Sequence, residues 1–157
     1  MYICVFNPVY FSCNIKKLIM LYLTRRETFN AGHRLFRPDW TDEKNESVYG
    51  KCSNPHWHGH NYVLYITVKG NVNPETGLVV NLKTLDILIR EQIIEKIDHM
   101  NINRQVDFMK GRIASAENIA IAIWEELETH ITKIGVELQC VKIVETENNY
   151  VEFYGKG

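Results

Sequence analysis

The sequence predicts an α+β domain, a four-stranded antiparallel sheet with two helices packed on one face, and three observations carry that prediction. From His58 to Gly70 side chains alternate, with Tyr62, Leu64, Ile66 and Val68 on one side and Asn61, Thr67 and Lys69 on the other, the period of a half-buried strand. Leu82, Leu85, Ile89, Ile93 and Ile97, and later Ile119, Ile123, Leu127 and Ile131, recur instead at helical spacing. Two further strand-like runs close the chain, Val136 to Thr146 and Tyr150 to Tyr154, with Asn148-Asn149 between them as a hairpin turn. The order ββααββ lays the helices on one face of the sheet, and its open edges need cover.

Taken in order, the first twenty residues are apolar and aromatic, but their only basic pair, Lys16-Lys17, lies near their end. A secretory signal runs the other way, and Asn7-Pro8 interrupts any spanning helix, so residues 1–20 read as an extension ahead of a domain spanning 21–157. A short interfacial anchor is the alternative. Leu21 to Asn30 carries the β-branched and aromatic content of a first strand. Residues 36–49 are polar, with Pro38 and the run Asp42-Glu43-Lys44-Asn45-Glu46, and read as a long loop. After the second strand, Asn73-Pro74-Glu75-Thr76-Gly77 supplies turn chemistry, and Asn81 caps a helix that reaches Ile97. Residues 100–114 read as a loop, and Ser115 caps the second helix.

With 157 residues, 45% of them hydrophobic, the chain has apolar material for a single core. A formal net charge of −1 with scattered basic residues gives no electrostatic case for nucleic acid or an anionic membrane, which leaves a small-molecule role. The four cysteines show no CxxC spacing and suit a reducing cytoplasm.

Chemistry concentrates between Gly50 and Tyr62. A His-x-His pair on a strand places both imidazoles on one face, so His58 and His60 sit at one end of an apolar surface, where a metal ion or hydrogen bonds must satisfy them. Gly59 between them allows a close approach of backbone. His33, at the end of the first strand, supplies a third imidazole, and catalytic zinc takes three protein ligands and keeps a position open. His56 lies close to this motif and reads as a supporting or surface group.

These blocks, with Ala31-Gly32-His33-Arg34-Leu35, Val80-Asn81-Leu82, Asp98-His99, Glu117-Asn118 and Glu145-Thr146-Glu147-Asn148-Asn149, resemble the 6-pyruvoyltetrahydropterin synthases, whose family includes the 6-carboxytetrahydropterin synthases of queuosine biosynthesis. The matches follow family order from about Leu21 to the C-terminus. The resemblance implies the tunnelling fold, in which three sheets join into a barrel and two trimers stack as a homohexamer. It also implies a Zn2+ ion on His33, His58 and His60.

Cys52 has two readings from its neighbourhood, a fourth metal ligand or a buried thiol; the resemblance implies proton abstraction by its thiolate. Asp98 and His99 could simply end a helix, a favourable place for a protonated His. The resemblance pairs them with the Cys in a proton relay across a subunit boundary. Glu145 follows Val141 and Ile143 on one strand face, which brings a carboxylate to the apolar side of the sheet. A surface carboxylate at a strand end is the plainer reading. By resemblance Glu145 anchors the amino and ring nitrogens of the pterin, aided by Glu117 and Ser115, although Ser115-Ala116-Glu117 lacks one hydroxyl of the usual family pattern. The implied substrate is 7,8-dihydroneopterin triphosphate and the product 6-pyruvoyltetrahydropterin. The alternatives are the 6-carboxy product, made with loss of acetaldehyde and triphosphate, and a non-catalytic zinc or pterin-binding module.

Overall fold

A computed structural model of the chain describes residues 20–156, so the expected extension lies outside the described residues apart from Met20. Two long strands, β1 (Met20–His33) and β2 (His58–Asn71), pair antiparallel over their whole length, from Met20 opposite Asn71 to His33 opposite His58. Strand β4 (Glu137–Thr146) pairs with β2, and β5 (Asn149–Phe153) pairs with β4, both antiparallel. These are the four strands expected.

A fifth was not foreseen. β3 (Met100–Asn101) runs parallel to β1 at Ala31 and Gly32, which makes the sheet mixed, in the order β3-β1-β2-β4-β5. The segment expected as loop between residues 100 and 114 thus supplies an edge strand and also a short helix, α4 (Ile102–Gln105).

The residues between the first two strands correct the loop expectation too, because Asp42–Tyr49 form helix α1. The helix has no apolar stripe. It is held by the Thr41 cap, whose hydroxyl accepts from the Lys44 amide, and by the buried Asn45, which accepts from the Arg37 amide at 2.8 Å and donates to the Arg37 and Thr41 carbonyls.

Helix α2 (Leu82–Ile89) starts at Asn81, whose side chain accepts from the amides of Lys83 and Thr84; a π-type turn (Arg90–Ile94) leads on into α3 (Glu95–Ile97). Leu85, Ile89, Ile93 and Ile97 are fully buried, whereas Leu82 on the first turn is exposed. Helix α5 (Ala116–Lys133) buries Ile119, Ile123, Leu127 and Ile131 against the sheet and ends before Gly135, whose φ of 83° reverses the chain into β4. The core lies between the helices and the sheet face carrying Phe29, Tyr62, Leu64, Ile66, Val141 and Ile143. No helix among the described residues is long and apolar enough to cross a membrane.

Candidate metal centre and adjoining pocket

The last pairs of β1 and β2 place three imidazoles together. His33 lies opposite His58, and His60 opposite Ala31, all on the helix-covered face. The ligand atoms of the three histidines lie within 4.8 Å of one another. Gly59 makes this spacing feasible, since a Cβ there would stand 2.9 Å from the Ala31 carbonyl oxygen.

His33 is 1% exposed, and its Nδ1 lies 2.7 Å from the Ala114 carbonyl. A carbonyl can only accept, so Nδ1 carries the proton and Nε2 keeps its lone pair, the arrangement common in metal-binding histidines. Burial lowers the His33 pKa to about 4, helped by the neighbouring His58 and His60 and opposed by the bond to Ala114. Burial lowers the His58 pKa as well. Both ring nitrogens of His58 are shielded from solvent and have no hydrogen-bond partner among the described residues. Buried polar atoms rarely stay unpaired, and a cation shared with His33 and His60 would take the lone pair of one His58 nitrogen while keeping the rings neutral. The three residues fit a metal ion.

Glu145 comes to the same centre from β4. Its Oε1 is 3.6 Å from His33 Nε2 and 3.8 Å from His60 Nε2. Its side chain, 23% exposed, also lines a pocket of about 420 Å³ with Leu35, Ser115, Glu117 and Tyr150. The three residues expected at the pterin therefore share one cavity next to the histidines. The Ser115 hydroxyl is the α5 cap, accepting from the Asn118 amide at 3.4 Å.

Cys52 is partly buried in a 3₁₀ turn (Gly50–Ser53), its carbonyl accepting from the Leu35 amide at 2.9 Å. Among the described residues it is not one of the clustered metal-ligating groups. Asp98 and His99 stand apart from it. Asp98 Oδ1 accepts from the Asn30 amide at 2.8 Å and Oδ2 lies 3.0 Å from His99 Nδ1; the Asn30 bond, followed by His99, holds the carboxyl below its usual range. The His99 amide in turn donates to the Asn30 carbonyl at 2.6 Å, with His99 at a left-handed φ of 59°. The His99 side chain is 75% exposed and lines a pocket at the ends of β1 and β2 with Asn30, Ala31, Gly59, His60 and Asn61. No hydrogen bond or ion pair among the described residues joins this pair to Cys52 within the chain. His56 is exposed, its amide tied to Asn54.

Three supporting groups escaped the sequence reading. Asn30 fixes both Asp98 and His99, the Ala114 carbonyl sets the His33 tautomer, and the buried Tyr62 hydroxyl lies 3.4 Å from both ring nitrogens of His33. The alternation that placed Tyr62 on the histidine face was the available signal; the partners of the other two are distant in sequence.

Residues 22–156 match the family model described as 6-pyruvoyl tetrahydropterin synthase. The chain belongs to that family. It is 40% identical over 134 residues to the 6-pyruvoyl tetrahydrobiopterin synthase of Homo sapiens, covering 85% of this chain and 91% of that one. The solved 6-pyruvoyl tetrahydropterin synthase of Caenorhabditis elegans superposes with a TM-score of 0.81 at 31% identity, over 88% of this chain and 98% of that one. A 6-carboxy-5,6,7,8-tetrahydropterin synthase from Rickettsia typhi is 30% identical over 152 residues, covering 85% of this chain and 99% of its own. Membership in this family agrees with the α+β fold and with a histidine cluster able to hold a metal ion.

Proposed function

We propose that the protein is a zinc-dependent lyase that converts 7,8-dihydroneopterin triphosphate to 6-pyruvoyltetrahydropterin with release of triphosphate. The observation that carries this reading is the convergence of His33, His58 and His60, with both buried nitrogens of His58 unpartnered, beside a pocket lined by Glu145, Glu117 and Ser115. The 40% identity to animal 6-pyruvoyl tetrahydrobiopterin synthases supports the choice of product.

A Zn2+ ion held by the three imidazoles would supply Lewis acidity toward the side-chain hydroxyls of the substrate. Ser115, Glu117 and Glu145 hold the pterin, and carboxylate oxygens suit the adjacent amino and ring N–H donors of that ring. Cys52 removes a proton from the substrate side chain as a thiolate. His99, oriented through Nδ1 by Asp98, returns protons as side chain and ring exchange oxidation level. Within one chain no hydrogen bond or ion pair among the described residues joins the Asp98–His99 pair to Cys52, and a second copy supplies the dyad. This favours a homohexamer of two barrel-forming trimers with sites at subunit boundaries. We place the enzyme in the cytoplasm, with residues 1–20 as an extension outside the catalytic domain.

Incubating the purified protein with dihydroneopterin triphosphate and identifying the product by mass spectrometry tests the reading. The likeness to the Rickettsia typhi protein makes 6-carboxytetrahydropterin the second reading, and release of acetaldehyde would establish it. Pterin binding without turnover would leave a binding module.

A further inference from the structure

Tyr62 is fully buried, with 0% exposure, yet it carries a hydroxyl, and a buried hydroxyl is costly unless it is hydrogen-bonded. Its ring is fixed from β1 by Phe29, stacked at 4.8 Å with planes 16° apart. From the other side, the pairs Leu64–Ile143 and Val63–Val144 set the β2–β4 register, and one further step places Glu145 opposite Tyr62 on the same face. The hydroxyl and the Glu145 carboxylate gather at one nitrogen, Tyr62 Oη at 3.4 Å and Glu145 Oε1 at 3.6 Å from His33 Nε2.

It also neighbours His33, with Oη 3.4 Å from each ring nitrogen, a spacing too even to aim along the Nε2 lone pair. His33 Nδ1 already donates to Ala114, which leaves Nε2 as the nitrogen for a cation. The carboxylate is therefore the acceptor available to the Tyr62 proton, and a charged acceptor makes a strong bond.

We infer that Tyr62 is a positioning residue that acts through Glu145: its hydroxyl holds the carboxylate at the junction between the histidine cluster and the pocket lined by Ser115 and Glu117. The inference rests on the proposed function for the role of that pocket. Phe29 pairs with Tyr62 across β1 and β2, and Glu145 lies one step beyond the last β2–β4 pair, Val63–Val144, so the rigidity of the sheet passes toward a group that meets substrate. Without the hydroxyl, the side chain of Glu145 is free to turn between the imidazoles and the pocket.

The test compares wild type, Tyr62→Phe, Glu145→Ala and the double variant by turnover of dihydroneopterin triphosphate, by binding of oxidised neopterin followed by fluorescence, and by zinc content. Tyr62→Phe removes one oxygen and is expected to keep zinc and thermal midpoint, while neopterin binding and KM weaken about tenfold. kcat should change by less than about twofold. In the double variant neopterin binding should match Glu145→Ala alone, because Tyr62 then has nothing to hold. Wild-type binding by Tyr62→Phe, losses that multiply in the double variant, or loss of zinc from Tyr62→Phe would each overturn the inference. Absence of turnover in wild type would instead refute the proposed reaction, and the neopterin cycle would still decide the role of Tyr62.

Discussion

Replacing Gly59 by Ala places a methyl group between two of the three histidine-bearing positions and makes a direct test of how the centre is built. The added Cβ would stand 2.9 Å from the Ala31 carbonyl oxygen and 3.5 Å from both the Ala31 carbonyl carbon and the Gly32 Cα. All three contacts are backbone, so no rotamer change relieves them, and β1 and β2 must separate by roughly 0.5 Å to reach ordinary contact. Overpacking of this kind costs about 1–3 kcal/mol. At about 4 °C per kcal/mol for a domain of this size, the thermal midpoint should fall by about 4–12 °C. The separation falls where His33 faces His58, and metal–ligand distances tolerate only about 0.2 Å, so metal affinity should drop more sharply than stability. Gly32→Ala is the control, because its Cβ would meet nothing closer than the His58 carbonyl oxygen at 3.6 Å. Differential scanning calorimetry and chelator competition on both variants provide the assay. If Gly59→Ala matches Gly32→Ala in midpoint and metal affinity, the close approach of the two strands is not what sets the histidine spacing.

Ligand and base should fail differently. His58→Ala or His60→Ala is expected to remove most of the bound metal by elemental analysis, whereas Cys52→Ala should retain it and lose turnover by about 10²-fold or more. Metal loss from Cys52→Ala would make that residue a ligand. The metal-free protein should be acid-sensitive: His33 takes up a proton near pH 6.5 when unfolded but only near pH 4 when folded, so its contribution is intact above about 6.5 and lost as pH falls toward about 4. Denaturant midpoints of chelator-treated protein should register a loss of about 3 kcal/mol across that window, and a flat profile would contradict the burial of a neutral imidazole.

Sheet and long helices were legible because their signals are local and periodic. The alternation through Tyr62, Leu64, Ile66 and Val68 and the four-residue steps from Leu85 to Ile97 each report a buried face directly. Helix α1 was not legible by that route, since its one buried residue is Asn45 and its stability comes from capping and side-chain bonds to Arg37 and Thr41. A charged run with a Thr41 cap and Asp42-Glu43 in the first turn was the weaker signal. β3 is two residues long and pairs across some seventy positions, so no window of sequence contains it. At the site, the pairing of His58 with His60 followed from strand alternation, while His33 entered as a third imidazole from the ligand count of catalytic zinc and the family resemblance, its place opposite His58 being set by the β1–β2 register. The proximity of Glu145 to His33 and His60 needed the β2–β4 register, which sequence does not supply.

The proposed chemistry falls into two groups that no bond among the described residues joins within one chain. His33, His58 and His60 gather on the helix-covered face with Glu145, while the exposed His99 is paired with Asp98 and has no hydrogen bond or ion pair to Cys52 among the described residues. Asp98 and His99 are also anchored to the backbone N–H and C=O of Asn30 on β1, so a swing of the loop toward Cys52 would have to break both bonds. If the relay is real, it must be assembled from two copies, and two inactive variants should then repair each other. Cys52→Ala keeps an intact His99, and His99→Ala keeps an intact Cys52. When subunits exchange at random in an equal mixture, roughly a quarter of sites draw Cys52 from one variant and His99 from the other. Turnover should recover to about that share of wild type after unfolding and refolding the two together, and stay near zero when they are refolded apart and then mixed without exchange. No recovery in the co-refolded sample, with mixed assemblies verified by native mass spectrometry, would place the whole relay within one chain.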